Sequence, residues 1–173
     1  MKKFLMMAAL VLAAASANAQ TWIGGNLGYN YSDNGFGTKR TDISISPEIG
    51  FSITDKWDFA VNLDYTMGKV KNGATIHEFV VNPYARYTFA KSGIASFFVD
   101  GGISVGAHKV KDGGDADAIF GIAFQPGIAL HVSDRVSLVT KIGSLGYRHV
   151  GDADAFGLNV NNEAITFGAY YTF

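Results

Sequence analysis

Cysteine is absent from this 173-residue chain, which excludes a disulfide framework, a thiolate nucleophile and a lipid-modified amino-terminal cysteine. Charge is scarce and balanced: 17% of residues are charged and the formal net charge is −1. Such a chain has no field with which to hold a polyphosphate, so nucleic acid is not an expected partner. Long apolar runs are missing after Gln20, and the remainder therefore holds no candidate transmembrane helix. If that remainder spans a membrane, it does so as strands. What is present is 48% hydrophobic residues, 13% aromatics and 21 glycines, a composition that excludes intrinsic disorder and, at this length, allows one domain.

The amino terminus reads as an export leader. Lys2 and Lys3 precede an apolar run from Phe4 to Ala15, and Ala17-Asn18-Ala19 forms an A-x-A pattern before Gln20. The run is shorter than the roughly 20 residues a bilayer-spanning helix needs, and it has no polar face to suit a buried amphipathic helix. The spacing predicts a signal peptide over residues 1–19, cleaved after Ala19, and a mature domain over 20–173. Loss of Lys2 and Lys3 from the 14 basic residues leaves 12 against 15 acidic ones, a mature net charge of about −3.

The mature chain has a period of two. From Thr41 to Ile53 the odd positions are Thr, Ile, Ile, Pro, Ile, Phe and Ile, and the even ones Asp42, Ser44, Ser46, Glu48, Gly50 and Ser52. Trp57, Phe59, Val61, Leu63, Tyr65 and Met67 alternate in the same way with Asp58, Ala60, Asn62, Asp64, Thr66 and Gly68. A helix has a 3.6 period and would bury charge along with either apolar set. Six further strands are predicted near Thr21–Tyr31, Thr75–Phe89, Ala95–His108 and Ala118–Val132, from Val136, and over Glu163–Phe173. The seventh loses phase near Leu145–Tyr147, where a bulge would restore the facing. Short connections at Thr54–Lys56, Ala90–Ile94 and Ser133–Arg135 take turns with longer ones at Ser32–Arg40, Val70–Ala74, Lys109–Asp117 and Gly151–Asn162. That alternation places one tight rim opposite one elaborated rim.

Three features turn the apolar face toward lipid rather than toward a soluble core. The strands reach or exceed the roughly 9–11 residues of a tilted membrane strand. Aromatics gather near strand ends: Phe51, Trp57, Tyr87, Phe89, Phe97, Tyr171 and Phe173 near the short-turn rim, and Tyr29, Tyr31 and Tyr65 near the other. The opposite face carries Glu48, Asp64, Glu78, Arg86, Asp100 and Lys141 well inside strands. The closing residues Thr166-Phe167-Gly168-Ala169-Tyr170-Tyr171-Thr172-Phe173 resemble the carboxy-terminal assembly signal of outer-membrane proteins, with Thr166, Gly168, Tyr171 and Phe173 in its polar, glycine and two hydrophobic slots. With that pattern the whole mature chain resembles the small outer-membrane β-barrels of the OmpA/OmpX-like superfamily. The resemblance implies an all-β fold, an eight-stranded antiparallel up-and-down transmembrane barrel in the outer membrane of a Gram-negative bacterium. It further implies outer-membrane lipid, lipopolysaccharide and the barrel-assembly machinery as partners, with no cofactor.

An eight-stranded barrel is just wide enough for its own side chains to fill, so interior charges have to satisfy one another. Arg86 and Asp100 are expected to meet diagonally across a hairpin, in an ion-pair network with Glu48 and Lys141. A narrow pore is the competing use of the same residues. His77, His108 and His149, with Ser32 or Ser144, invite a lipid-modifying enzyme, but no nucleophile motif surrounds them, and interior or rim histidines are the better reading. Gly114–Ala118 and Gly151–Ala155 share the sequence GDADA. Its paired carboxylates suit a hard cation bridging lipopolysaccharide phosphates, yet no calcium-loop pattern continues it and Asp and Gly are ordinary turn residues. Gly24-Gly25-Asn26-Leu27-Gly28 lacks the lysine of a phosphate loop and reads as small residues making room inside the barrel. The expected function is non-enzymatic, structural or surface-interacting through the long external loops. The alternative outside the membrane is an exported lipocalin-like barrel holding an apolar ligand.

Overall fold

The computed structural model describes residues 20–33, 39–71, 73–111, 113–159 and 165–173; the expected leader, residues 1–19, lies outside them. Period-two sequence becomes strand throughout. The segments are β1 (Gln20–Asp33), β2 (Lys39–Ser52), β3 (Trp57–Val70), β4 (Thr75–Ser92), β5 (Ala95–Val110), β6 (Asp117–His131), β7 (Val136–Ile142), β8 (Ser144–Val150), β9 (Ala153–Asn159) and β10 (Ile165–Thr172). Every pairing is antiparallel. β6 pairs with β7 through Gly127–His131 and with β8 through Ile119–Phe124, so β7 and β8 form a single stave. β9 and β10 pair with β8 and β7 in turn and form the eighth. β1 pairs with β10 and β5 with β6, which closes an eight-stave barrel.

Three expectations about connections are corrected. Of the stretch expected as a long loop over Gly151–Asn162, the described part is a hairpin: Gly151 takes a left-handed φ of 59°, and Ala153–Asn159 returns along β8 as β9. Its period-two residues Asp154, Phe156 and Leu158 were masked by the turn-like composition around them. The expected turn over Ala90–Ile94 shrinks to Gly93-Ile94, because β4 runs to Ser92 past a bulge between Thr88 and Ala90 that makes Phe89 the extra residue. The strands also run further toward the elaborated rim than expected: β1 to Asp33, β2 from Lys39 and β5 to Val110, with residues 34–38 outside the described residues. The lost phase of the seventh strand has its cause at Gly143, whose φ of 71° is the left-handed conformation that side chains other than hydrogen disfavour. Ile142 and Leu145 flank it and both point outward.

The facing follows the parity read from the sequence. Ile45, Leu63, Phe79, Ile103, Ile122 and Leu138 are exposed on the outer wall, while Ser46, Glu48, Asn62, Arg86, Asp100 and Lys141 are buried in the lumen. Aromatic pairs band the short-turn rim: Trp57 against Tyr87 with centroids 4.8 Å apart, Phe51 on Phe59 at 6.2 Å, and Tyr171 edge-on to Phe173 at 5.2 Å. Three of the large rings that turn inward each lie over a glycine. Trp22 covers Gly50, Tyr170 covers Gly24 and Phe98 covers Gly127, positions at which a β-carbon would collide with the ring. A charge placed on the outer wall at mid-height is costly, so Leu63→Arg is expected to lower stability in lipid vesicles by about 2–4 kcal/mol. Denaturant titration of the refolded protein measures it; no loss would place Leu63 away from hydrocarbon.

Candidate functional site

The waist of the lumen is built by four charges on four staves. The β4–β5 register sets Arg86 directly opposite Asp100, rather than diagonal to it. Its guanidinium donates through Nε to Oδ1 at 2.7 Å and through Nη2 to Oδ2 at 2.9 Å, a bidentate pair. Lys141, on β7, brings Nζ to 3.1 Å from Asp100 Oδ2 and 3.7 Å from Glu48 Oε2 on β2. The Tyr84 hydroxyl donates to the same Glu48 oxygen at 2.9 Å. The two positive and two negative groups sum to zero, as their burial at 3–7% exposure demands.

Aromatic faces cover what the ion pairs leave open. Arg86 Cζ lies 3.8 Å from the Phe98 ring centroid and 5.3 Å from that of Tyr170, whose hydroxyl accepts from Nη2 at 3.3 Å. Trp22 stacks on Tyr170 at 4.4 Å, and Lys141 Nζ sits 4.6 Å from the Tyr84 centroid. Trp22, Phe98 and Tyr170 were not singled out in the sequence. Parity is the signal that finds them: each shares its register with polar or glycine residues, as Phe98 does with Ser96 and Asp100.

Polar layers continue on either side of this plug. Toward the short turns, His131 is held between Ser96 and Ser137 by hydrogen bonds of 2.8 Å at each ring nitrogen. Toward the other rim, Asn82 donates to Asn62 at 3.2 Å, Asp64 accepts from Ser46 and from Thr66, and Arg148 meets Glu78 at 2.6 Å with His108 3.6 Å away. All of these bonds except that of Thr66 to Asp64, within β3, join separate staves, so the lumen is cross-braced along its length.

The remaining candidates are placed as follows. His77 faces outward and bonds the Tyr65 hydroxyl at 2.9 Å. His149, opposite outward-facing Phe120, bonds Asp154 at 2.8 Å, and Tyr147 donates to the same carboxylate at 2.5 Å. Those two donors hold the Asp154 carboxyl below its ordinary range. His108 and Ser144 are on the lumen side, across the wall from His77 and His149; the Ser32 side chain lies outside the described residues. The structure thus brings none of the three histidines to Ser144. The two GDADA segments come together, with Asp117 beside Gly151, but Asp154 is committed to Tyr147 and His149. Among the described residues no three acidic or histidine groups converge as a metal site. Of the closing residues, Thr166 and Gly168 point into the lumen at the seam with β1, and Tyr171 and Phe173 lie on the outer rim, where Arg135 donates to the Tyr171 hydroxyl at 3.2 Å.

Comparison with known proteins places this architecture. Residues 4–173 match the family described as outer membrane protein beta-barrel domain. No curated protein matches the chain. Among solved structures, neisserial surface protein A is similar with a TM-score of 0.54 at 17% identity, over 90% of this chain and 96% of that one. The Yersinia pestis outer membrane protein Ail, in a phospholipid bilayer nanodisc, is similar with a TM-score of 0.52 at 15% identity, over 90% of this chain and all of the other. At such identities the likeness speaks for the fold alone. The plug carries its own prediction. Arg86→Ala leaves Asp100 short of its bidentate partner and is expected to cost about 3–5 kcal/mol. The paired change Arg86→Met with Asp100→Leu keeps the lumen neutral and is expected to cost clearly less; unfolding of both variants in vesicles checks the order.

Proposed function

The chain belongs to the outer membrane protein beta-barrel domain family and resides in the outer membrane of a Gram-negative bacterium, and from that premise we propose a non-enzymatic role in envelope structure and surface interaction. The observation that carries this reading is the filled waist. Four mutually paired charges and their aromatic covers occupy the cross-section where a pore would need an open path or an internal ligand an apolar cavity. The lipocalin-like alternative is set aside on the same ground, and because the residues it would turn inward form the outer wall. Support against the lipid-modifying alternative comes from the commitment of His77 and His149 to Tyr65 and Asp154.

Contact with lipid is inherent in the family. Lipopolysaccharide as a partner is supported by the belt above Tyr65 and His77, where Lys69 and Lys109 are exposed on outward-facing positions. Ammonium groups at that height suit phosphorylated headgroups. The cleavable leader over residues 1–19 belongs to the same proposal, since export precedes insertion. So does recognition of Thr166, Gly168, Tyr171 and Phe173 by the assembly machinery.

Two measurements test the role. Overexpression is expected to leave lipid A acylation unchanged, and the purified protein to give no steady conductance in planar bilayers; a new acylation product or a stable open channel would overturn the proposal. Assembly is separable from stability. Phe173→Ala is expected to lower the amount reaching the outer membrane several-fold while the refolded protein keeps its unfolding midpoint, because the ring is 69% exposed on the rim. Equal amounts in the membrane would remove Phe173 from the signal.

A further inference from the structure

Positive charge gathers on one side of the outer wall. On β3, β4 and β5, near the elaborated rim, the register sets outward-facing residues in two rows. Met67, His77 and Lys109 lie side by side in the lower row, and Lys69 lies opposite Thr75 in the upper. Lys111 joins the upper row, because its backbone N–H donates to the Thr75 carbonyl at 2.7 Å. Neighbours within a row are about 4.8 Å apart and the rows about 7 Å, so the groups form one compact grid. Lys69, Lys109 and Lys111 are exposed and make no ion pair with a described residue. Among the described residues, the outward positions of these strands and of β2 and β6 beside them hold no carboxylate. The cations inside the barrel differ in this respect: Arg40, Arg86, Lys141 and Arg148 each meet an acid.

The grid also lies at a particular height. A tilted strand climbs about 2.5 Å per residue, which sets Met67 roughly 25 Å and Lys69 roughly 30 Å above Trp57 in the short-turn aromatic belt. The hydrocarbon band is about 25 Å tall. His77 and Lys109, level with Met67, therefore sit at its upper edge, and Lys69, Thr75 and Lys111 in the headgroup layer just above. A Tyr65 hydroxyl that donates to His77 Nδ1, 2.9 Å away, leaves the imidazole proton on Nε2 as a further donor. Phe79 and Val105 are exposed beneath, where acyl chains descend.

Taking lipopolysaccharide as the partner, the reading on which this step rests, we propose that the grid holds one of its phosphate monoesters directly, on Lys69, Lys109 and Lys111, without a bridging divalent cation. A phosphate monoester carries about −1.5 to −2 at neutral pH, a charge that takes more than one ammonium group to balance. A phosphodiester carries a single charge and leaves the grid positive. Thr75 and His77 supply neutral donors between the lysines. A divalent cation joins phosphate to phosphate or to carboxylate; here the grid has no carboxylate to offer it, and the ammonium groups repel it.

The test refolds the mature chain in phosphatidylcholine nanodiscs with EDTA and follows amide chemical shifts as bisphosphorylated lipid A is added. Saturable shifts are expected at Lys69, Thr75, His77 and Lys109. Affinity is expected to be at least about tenfold lower for lipid A stripped of its phosphates and for phosphatidylglycerol, a phosphodiester. Lys69→Gln with Lys109→Gln is expected to weaken binding about thirtyfold, while Lys56→Gln, a loss of charge at the short-turn rim, leaves it unchanged. Binding that requires added magnesium, or equal affinity for phosphatidylglycerol, would overturn the proposal. Saturable binding of lipid A that the double variant leaves intact would overturn the site but keep lipopolysaccharide as a partner. Absence of lipid A binding with and without magnesium would remove both.

Discussion

Hydrocarbon offers no hydrogen bonds, and that single constraint organises the molecule. A strand can cross it only with partners on both edges, so the sheet has to come round on itself. Eight staves close at a radius that leaves no room for bulk water, and the inward half of every strand must then be neutralised by the inward half of another. The pairing of Arg86 with Asp100, and of Lys141 with Asp100 and Glu48, follows from this geometry: the four charges buried at the waist sum to zero. The glycines under Trp22, Phe98 and Tyr170 belong to the same solution, because rings of that size enter the waist only where the facing stave has no side chain.

The plug in turn determines where function can lie. A lumen braced from His131 at one rim to Arg148 at the other leaves little for transport, and moves interaction outward to the lipid-facing belt and the hairpin ends. Those ends are firmer than loops. In the β8–β9 hairpin the short turn at Gly151 is locked by Tyr147 and His149 on Asp154, a cross-strand arrangement that presents a fixed surface. Beside it the bulge at Gly143 redirects one stave, and among the described residues β1 pairs with β10 from Trp22 to Asn26.

Much of this was legible in the sequence, because parity is a strong signal when one face meets oil. The strict alternation of Thr41–Ile53 and Trp57–Met67 specified β2 and β3, their facing, and the inward position of Glu48 and Asn62. The four charges of the plug were legible as residues but not as geometry: register depends on turns, and the two-residue turn at Gly93 with its bulge sets Arg86 directly across from Asp100. β9 was hidden because Asp, Gly and Asn are turn residues by composition and strand residues only by their period. The inward aromatics Trp22, Phe98 and Tyr170 were given no face, although their parity with polar and glycine residues turns them inward.

The central claim is that odd-numbered residues of β3 face lipid and even-numbered ones the lumen. The chain has no cysteine, so single cysteines introduced from Phe59 to Met67 carry nitroxide labels without background. In bilayers, collision with oxygen should peak at Phe59, Val61, Leu63 and Tyr65 and fall at the residues between, with a water-soluble nickel chelate excluded from those same odd positions. Accessibility without a period of two, or chelate collisions at Leu63 equal to those in water, would contradict the account.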